Sequence, residues 1–339
     1  PPIGRPVAIL GNIGNCSLTL LTFCVCSCIV SGVGPRSGPM GIRMVTMAIV
    51  TREVQNKAAA LALSGTLPDC LACGARAHTG PTVKGSWCWH HEKFARYWIT
   101  GIPEYSIFVE GNQKLPFWAF SSLPAFTCPG AGVCLTWCYS YKAWRYPGAF
   151  YRQLQNAILL QSKAGRLHIA TSKARHGFLT LPKGQTVRLY VDGDHDSIDT
   201  MRFWWALLAQ RRDLPVYGYS KSWQLFLDYA RTGEQWPTNY KLNLSSGSRY
   251  PEAIRQKVAA LPITRGDFVA IHSDTKAPDR RKSPAAFAAF AKALKEHARA
   301  QGIAKSFVCP GKCGDCLPMG EHACGSDKFQ DVTVIIGIH

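Results

Sequence analysis

The sequence has 339 residues, of which 47% are hydrophobic, so it has material for one large domain or two ordinary ones and is not globally disordered. Its 39 Lys and Arg residues against 21 Asp and Glu residues give a formal charge of +18, which favours nucleic acid as a partner and an anionic membrane second, unless the surface is simply basic. The 14 cysteines lie mostly in close clusters, which favours metal ligation in a reducing, cytoplasmic compartment over disulfides.

The first predicted segment, residues 1–46, contains an apolar run at 16–30 that carries four cysteines. Such a run is typical of a secretory leader or of a marginal membrane span, although a full span needs about 20 apolar residues. The alternative that we favour is that translation begins at Met40, Met44 or Met47 and that the upstream part is not native protein. We therefore expect no stable membrane association and assign no site to these four cysteines.

The second segment, residues 47–104, begins with a weak helical pattern around 57–63. A C-x-x-C pair follows, and beyond a loop with Gly and Pro there is a further cysteine with two histidines close behind it. This arrangement is similar to a small zinc knuckle, with buried or free thiols as the alternative. The candidate zinc ligands are Cys70, Cys73, Cys88 and either His90 or His91.

In the third segment, residues 105–339, short β-like runs alternate with helical patterns. The predicted strands are 106–109, 117–120, 187–191, 216–219, 240–244, 267–271, 305–308 and 333–338. The predicted helices are 151–162, 197–210, 222–230, 251–261 and 283–301. Strands that alternate with helices predict βαβ units, an α/β fold class and a parallel sheet.

Polar side chains follow the ends of the central predicted strands. They are Asp192, Gly193, Asp194 and His195 after the first, Ser220 and Lys221 after the second, Ser245 after the third and His272 after the fourth. In parallel sheets, ligands bind beyond the carboxyl ends of the strands, so we expect these residues to share one edge. Simpler roles are equally open: Asp196 or Ser197 as a helix cap, Gly193 as a turn residue and Lys221 as a solvated charge.

Two groups of cysteines follow predicted strands in the same way. Cys128, Cys134 and Cys138 come from one loop and are suited to three irons of a [4Fe–4S] cluster, which leaves the fourth iron open. Zinc remains an alternative if His195 or a cysteine of the second group completes the set. The second group offers four thiols for a closed zinc site or an auxiliary iron–sulfur cluster, and its members are Cys309, Cys313, Cys316 and Cys324.

Several ordered motifs resemble the gene product 88 family of phage and plasmid proteins. They are Ser122-Leu-Pro-Ala-Phe-Thr-Cys128-Pro-Gly-Ala with Cys134 and Cys138-Tyr139, the strand that ends in Val191-Asp192-Gly-Asp194, the run Val216-Tyr-Gly-Tyr-Ser-Lys-Ser-Trp223, and the tail from Cys309-Pro to His339. The resemblance covers residues 105–339 and does not place residues 1–46 or 70–91. It implies no established activity.

The family pattern is similar to that of radical-SAM proteins, which implies a radical-SAM-like partial (β/α) barrel behind a small Cys-rich N-terminal segment. Trp137 precedes Cys138 as in the radical-SAM loop, but the spacing is C-x5-C-x3-C where C-x3-C-x2-C is usual. The likeness implies a [4Fe–4S] cluster and S-adenosylmethionine. The implied cofactor-binding residues are Asp192, Gly193, Asp194, Ser220 and Ser245, and the implied catalytic residues are Asp192, Asp194, His195, Lys221 and His272.

Two function hypotheses follow from these patterns. In the first, the chain is an iron–sulfur protein, a divergent radical-SAM-like enzyme that acts on a nucleic acid or a nucleotide, because the basic charge favours such substrates. In the second, the chain is not an enzyme: zinc or iron–sulfur centres stabilise the fold, and the protein binds nucleic acid or inhibits a host or competitor protein.

Overall fold

The structure is a computed structural model that describes residues 50–316, 322–330 and 332–338. The predictions for residues 1–46, which concern the leader, the membrane span and the start codons, lie outside these residues, as does the last residue of the tail, His339. The described residues belong to one unit that begins at Met47. None of the helices in these ranges has both the length and the apolar character needed to cross a bilayer.

The helices occupy both the N-terminal part of the chain and the connections between strands. They are α1 (Arg52–Leu63), α2 (Trp87–Thr100), α3 (Cys134–Trp137), α4 (Pro147–Leu160), α5 (Lys163–Thr171), α6 (Ile198–Gln210), α7 (Trp223–Arg231), α8 (Glu252–Ala259) and α9 (Pro284–Ala300). The predicted helices are present, although α4 begins earlier, at Pro147. Helix α2 is absent from the prediction because aromatic residues and a histidine, which are weak helix formers, make up its buried face.

One eight-stranded sheet organises the rest of the chain. Its strands are β1 (Phe108–Val109), β2 (Trp118–Phe120), β3 (Val187–Leu189), β4 (Val216–Ser220), β5 (Tyr240–Ser245), β6 (Thr264–His272), β7 (Ser306–Val308) and β8 (Thr333–Ile338). The spatial order is β1-β2-β3-β4-β5-β6-β8-β7, with β1 antiparallel to β2 and every other neighbouring pair parallel. The fold is therefore mixed α/β, and the carboxyl ends of β2 to β8 lie at one edge of the sheet.

One face of the sheet packs against helices in the main core. Alternation along each strand sends Leu189, Val216 and Leu242 to this face, where Trp204 of α6 and Phe226 of α7 are fully buried with them. A tyrosine–tryptophan hydrogen bond between Tyr190 and Trp204 (2.9 Å) satisfies two polar atoms within this core.

The opposite face carries polar and aromatic side chains. The Arg188 guanidinium lies over the Tyr219 ring, 4.6 Å from its centroid. Asn243 connects two regions of this face, since its amide donates to the Cys324 carbonyl (2.9 Å) and its side-chain oxygen accepts from Arg265 Nε (2.7 Å). This face is therefore covered by the segment that contains the last cysteine group.

The first residues of α6 confirm the helix cap that the sequence suggests for Ser197. Its hydroxyl accepts from the Thr200 N–H (3.2 Å), and the Thr200 hydroxyl accepts from the Ser197 N–H (3.2 Å), which forms a capping box. Asp196 accepts from the Thr200 hydroxyl (2.5 Å). Asp196 and Ser197 therefore stabilise the first turn of α6. Only the residues before them in the acidic run lie at the sheet edge.

Candidate metal centres

The loop between β2 and α4 carries Cys128, Cys134 and Cys138 over the carboxyl edge of the sheet. It runs beside the segment that follows β5, where the Arg249 N–H donates to the Gly130 carbonyl (3.0 Å). Cys134 begins the short helix α3, and Cys138 directly follows it. Backbone pairing to a distant segment therefore helps to fix this loop, which itself contains only short helical turns.

Two glycines allow the loop to lie against the ends of β3 and β4. A Cβ atom at Gly130 would come within 1.8 Å of the Lys221 carbonyl oxygen. Gly193 has φ +80°, and a Cβ atom there would come within 2.7 Å of Thr127 Oγ1. The turn role suggested for Gly193 agrees with this conformation. Both positions join the cysteine loop to loops that carry predicted site residues.

The three thiols line one cavity of about 80 Å³ at this edge. Its lining also includes Tyr139, Tyr190, Val191, Gly193, Asp194, Tyr219 and Lys221. Burial raises the pKa of the Cys128 and Cys134 thiols above the usual range, and the nearby Lys221 charge opposes that rise. Burial favours the neutral thiols, so ligation of a metal here would release protons.

Asp194 connects the loop after β3 to the loop after β4. Its carboxylate accepts from the Lys221 N–H (2.8 Å) and the Ser222 N–H (3.2 Å), and also from the His195 N–H (2.7 Å). Burial raises the pKa of Asp194, while the bond from the Lys221 N–H opposes the rise. The backbone therefore already uses much of this carboxylate, although Asp194 lines the cavity.

Asp192 lies beneath the cysteine loop and not in the cavity lining. Its carboxylate accepts from Gln153 Nε2 of α4 (2.8 Å), and Gln153 Oε1 accepts from Trp144 Nε1 (2.7 Å). Burial raises the pKa of Asp192, and hydrogen bonds from Ser140 and Ser121 oppose that effect. This carboxylate supports the loop through helix α4.

The remaining predicted polar residues divide between the cavity and its surroundings. Lys221 lines the cavity, and its Nζ donates to the Ser245 hydroxyl (2.8 Å) at the end of β5. The Ser220 hydroxyl is buried and accepts from the Ser222 N–H (3.0 Å). Lys221 is therefore not a free solvated charge, and Ser220 and Ser245 position the groups around it.

The two predicted catalytic histidines do not line this cavity. His195 is 1% exposed and lies on the helix side of the sheet, with aromatic contacts to Tyr190, Trp205 and Phe226. Burial lowers its pKa to about 3, which favours a neutral core histidine. His272 is exposed at the end of β6, where its backbone pairs with Ile338 of β8.

The second cysteine group lies on the polar face of the sheet. Its members Cys309, Cys316 and Cys324 pack in a cluster with Tyr217 and Phe268. The Tyr217 hydroxyl lies 3.8 Å from Sγ of the fourth member, Cys313. The Gly311 N–H donates to Cys309 Sγ (3.4 Å). Burial raises the pKa of Cys309 to about 12 and that of Cys324 to about 11. The charges of neighbouring thiols in the group add to the rise in both cases.

Tyr219 and Arg188 lie between the two cysteine groups. Tyr219 lines the cavity of the first group, and its hydroxyl favours the thiolate of Cys324 in the second. Burial opposes the charge of Arg188, but Tyr139 and the other surrounding phenols, together with Cys313, raise its pKa overall. Among the described residues no carboxylate forms a salt bridge with Arg188, although its charge opposes the rise in the pKa of Asp192. Its Nε has no hydrogen-bond partner there.

A third group is more compact than the other two. Cys70, Cys73, Cys88 and His78 each offer a ligand atom, and these atoms lie within 4.8 Å of one another. The Sγ atom of Cys88 is 3.8 Å from that of Cys70 and 3.7 Å from that of Cys73. In the described ranges no other group of three or more Cys, His, Asp or Glu residues meets this spacing. The group could bind a metal ion.

The histidine of this group corrects the expectation from sequence. His90 points elsewhere: its Nδ1 lies 3.0 Å from the Tyr105 hydroxyl, and its ring stacks on Tyr105. His91 lies behind the group, with Nδ1 3.3 Å from His78 Nε2 and Nε2 2.9 Å from the Pro68 carbonyl oxygen. His78 was overlooked because it lies in the loop, although its position in sequence between the Cys70–Cys73 pair and Cys88 was a usable signal.

A more voluminous cavity than that of the cysteine loop holds none of the predicted site residues. Its volume is about 720 Å³, and it lies beside β5 and β6 near the end of α9. Three of its charged residues already pair with one another. Arg255 Nε donates to Glu252 (2.7 Å), and Arg255 Nη1 lies 2.8 Å from an Asp267 carboxylate oxygen. Size alone therefore does not identify the functional site here.

A mainly parallel sheet, with one cysteine group at its carboxyl edge and another on its polar face, defines the chain as an α/β protein with candidate metal centres. The gene product 88 family model matches residues 103–327, about two thirds of the chain, and the chain belongs to that family. The match includes the cysteine loop at the sheet edge and the second cysteine group on the polar face, and it leaves out Cys70, Cys73, His78 and Cys88. No curated protein and no solved structure matches the chain.

Proposed function

We propose that this protein is an iron–sulfur enzyme whose primary [4Fe–4S] cluster is held by Cys128, Cys134 and Cys138. The observation that carries the proposal is that these thiols share one cavity with Asp194 and Lys221, at the carboxyl ends of three parallel strands. Such edges are where parallel sheets bind ligands. Three thiolates leave one iron of the cluster open to a substrate or cofactor.

The thiols of the Cys128 group do not have the close mutual spacing expected of a preformed single-ion site. Thiolates that share one ion stand close together, whereas those on separate irons of a cluster stand further apart. In the described ranges only the Cys70 group has mutual separations within 4.8 Å, and the Cys128 group does not. The donor set is also the soft one that iron–sulfur clusters use.

The charges around the site favour an anionic occupant. Thiolate ligands make an iron–sulfur cluster anionic, and a buried cation is costly unless an anion lies near it. Arg188 forms no salt bridge among the described residues, since its charge acts on Asp192 only from a distance, and Lys221 lies at the cavity. We assign Arg188 and Lys221 to balancing the charge of the bound cluster or of an anionic substrate.

S-adenosylmethionine would need a larger cavity than the one that the three thiols line. A cavity of about 80 Å³ suits a compact group and is well below the roughly 300–1,000 Å³ of pockets for organic ligands. The hydrogen bonds of Asp192 to Gln153 and of Asp194 to the backbone also engage carboxylates that would contact the cofactor. The cavity itself therefore does not fit this cofactor, and we derive no step through it.

Cys309, Cys313, Cys316 and Cys324 would hold a second metal centre on the polar face of the sheet. Four thiols complete a closed site without a vacant position, as structural centres require. The Gly311 N–H bond to Cys309 Sγ is of the kind that tunes such clusters. A partial-barrel arrangement of the sheet around both centres, in a reducing cytoplasmic compartment, is part of the same proposal.

The net charge of +18 favours a nucleic acid or nucleotide as the substrate class. The alternative function is a metal-stabilised protein that binds nucleic acid without catalysis. The engaged carboxylates of Asp192 and Asp194 favour this alternative, because they leave fewer free groups for chemistry.

Anaerobic purification of the full chain tests the proposal. We expect a brown protein with acid-labile sulfide, from which Cys134→Ser removes about four irons. Thr136→Ala, an exposed change within the same loop, is the matched control and should keep the iron. A colourless protein, or equal iron in Cys134→Ser and wild type, would overturn the cluster assignment.

The enzymatic part has a separate readout. After chemical reduction, the brown protein is incubated with S-adenosylmethionine, and its cleavage products are measured. Cleavage that is lost in Cys134→Ser supports the radical-SAM reading. Iron without cleavage, together with salt-sensitive binding to DNA or RNA, supports the binding protein instead.

A further inference from the structure

The compact cysteine group between α1 and α2 has the dimensions of a single tetrahedral ion. Around a zinc with Zn–S bonds of about 2.3 Å, two thiolate sulfurs stand about 3.8 Å apart. The Cys88 sulfur lies 3.8 Å from that of Cys70 and 3.7 Å from that of Cys73. A disulfide would bring two sulfurs to about 2.05 Å, and these cysteines are free.

The fourth corner of the tetrahedron belongs to a histidine. A ring nitrogen of His78 lies within 4.8 Å of all three sulfurs. Three cysteines with one histidine is among the usual ligand sets of closed, structural zinc sites. Iron–sulfur clusters most often take thiolates alone, so the donor set itself favours zinc here over the cluster proposed for the sheet edge.

The hydrogen bonds of His91 decide which nitrogen of His78 is available. The Pro68 carbonyl can only accept, so His91 Nε2 carries the proton of the neutral ring, and His91 Nδ1 accepts. His78 Nε2 therefore donates to His91 Nδ1 over 3.3 Å, which leaves His78 Nδ1 with a free lone pair. Metal-ligating histidines are regularly oriented by such a bond from their second nitrogen.

We propose that Cys70, Cys73, Cys88 and Nδ1 of His78 bind one structural zinc ion, and that His91 is the positioning residue that orients His78. The site connects the loop after α1 to the first turn of α2, in which Trp87 packs on Phe150 of α4. The zinc therefore fixes α2 against the helix whose Gln153 supports Asp192 beneath the sheet-edge cysteines.

The test uses the full chain and measures zinc and iron separately. We expect Cys88→Ser to lose one zinc per chain while the iron content stays unchanged. Replacement of zinc by cobalt should give the optical spectrum of three sulfurs and one nitrogen in a tetrahedral field. His78→Ala should change this spectrum and weaken binding, and His78→Cys should restore tight binding with a four-sulfur spectrum.

Two neighbouring histidines separate positioning from ligation. His91→Ala should weaken zinc binding about 10–100-fold, measured by chelator competition, and still give the spectrum of three sulfurs and one nitrogen. His90→Gln is the matched control, and it should leave affinity and spectrum unchanged because His90 contacts Tyr105 and not the group.

Three outcomes would overturn the assignment. The first is full zinc retention in Cys88→Ser. The second is loss of iron in place of zinc from that variant, which would make the site an iron centre. The third is an altered cobalt spectrum in His91→Ala with an unaltered one in His78→Ala, which would exchange the roles of the two histidines.

Discussion

The cysteine group between α1 and α2 and the cysteine loop at the sheet edge are assembled in opposite ways. Cys70, Cys73 and Cys88 belong to one short stretch and already have the sulfur spacing of a single bound ion. The sheet-edge loop depends instead on contacts to segments far away in the chain, such as that of Gly130 with Lys221. The first centre is local, and the second exists only when the whole sheet has formed.

The largest effect should come from the local centre. Cys88→Ser, or removal of zinc with a chelator, should lower the free energy of unfolding by on the order of 4 kcal/mol, because a lost structural metal is among the few changes of that size. Urea unfolding with and without added zinc measures it. Equal free energies of unfolding in untreated wild type, chelator-treated wild type and Cys88→Ser would show that this group does not stabilise the fold.

A pair of glycine substitutions compares the two regions directly. Gly130→Ala should destabilise the protein by about 1–3 kcal/mol and reduce its iron, because the added Cβ meets backbone at 1.8 Å. Gly80→Ala lies in the loop between Cys73 and Cys88 and meets nothing within 4 Å, so it should change neither. If both substitutions changed stability and iron content by similar amounts, the proposed difference between the tightly packed loop at Gly130 and the open loop at Gly80 would be wrong.

A substitution of His195 tests whether this residue belongs to the aromatic core rather than to the site around the Cys128 loop. Burial lowers its pKa from 6.5 to about 3, so the unfolded chain takes up a proton that the folded state excludes. Its contribution to stability is complete above pH 6.5 and falls as the pH falls towards 3. Between pH 6.5 and 5 the loss should reach about 2 kcal/mol, and His195→Phe should remove it.

The measurement is the free energy of unfolding of both proteins across this range. An identical pH dependence in wild type and His195→Phe would mean that His195 is not the neutral core histidine that its aromatic surroundings indicate.

The smallest expected effect concerns Tyr219, which lies between the Cys128 group and the second cysteine group. Tyr219→Phe removes the hydroxyl that favours the Cys324 thiolate, so the pKa of Cys324 should rise above about 11. The free energy of unfolding at neutral pH should fall by no more than about 1 kcal/mol, because the Cys324 thiol is uncharged there. An unchanged alkylation rate of Cys324 at high pH in metal-free protein would argue against this contact.

Much of the fold follows from periodicity, and parts of the site do not. The strands after residue 105 and the five helices predicted there lie where hydrophobic patterns place them, whereas α5 was not predicted. The family assignment is confirmed over residues 103–327. The fold class is confirmed as α/β, while the barrel remains a proposal. Helix α2 was missed because Trp87, Phe94 and Tyr97 give its buried face an unusual composition.

The site shows the same division between pattern and contact. That Asp194 and Lys221 would lie beside the Cys128 loop follows from their positions after parallel strands. The sequence does not predict that His195, one residue after Asp194, turns into the aromatic core. Neighbouring residues in a loop can face either side of the sheet.

The sequence by itself determined which residue types can bind metal, which strands precede them and which family the chain belongs to, since these depend on spacing along the chain. Only the tertiary structure decided that His78 and not His90 joins Cys70, Cys73 and Cys88, and that Asp192 supports α4 rather than lining the cavity. Those choices depend on side-chain direction and on packing between distant segments, which spacing does not encode.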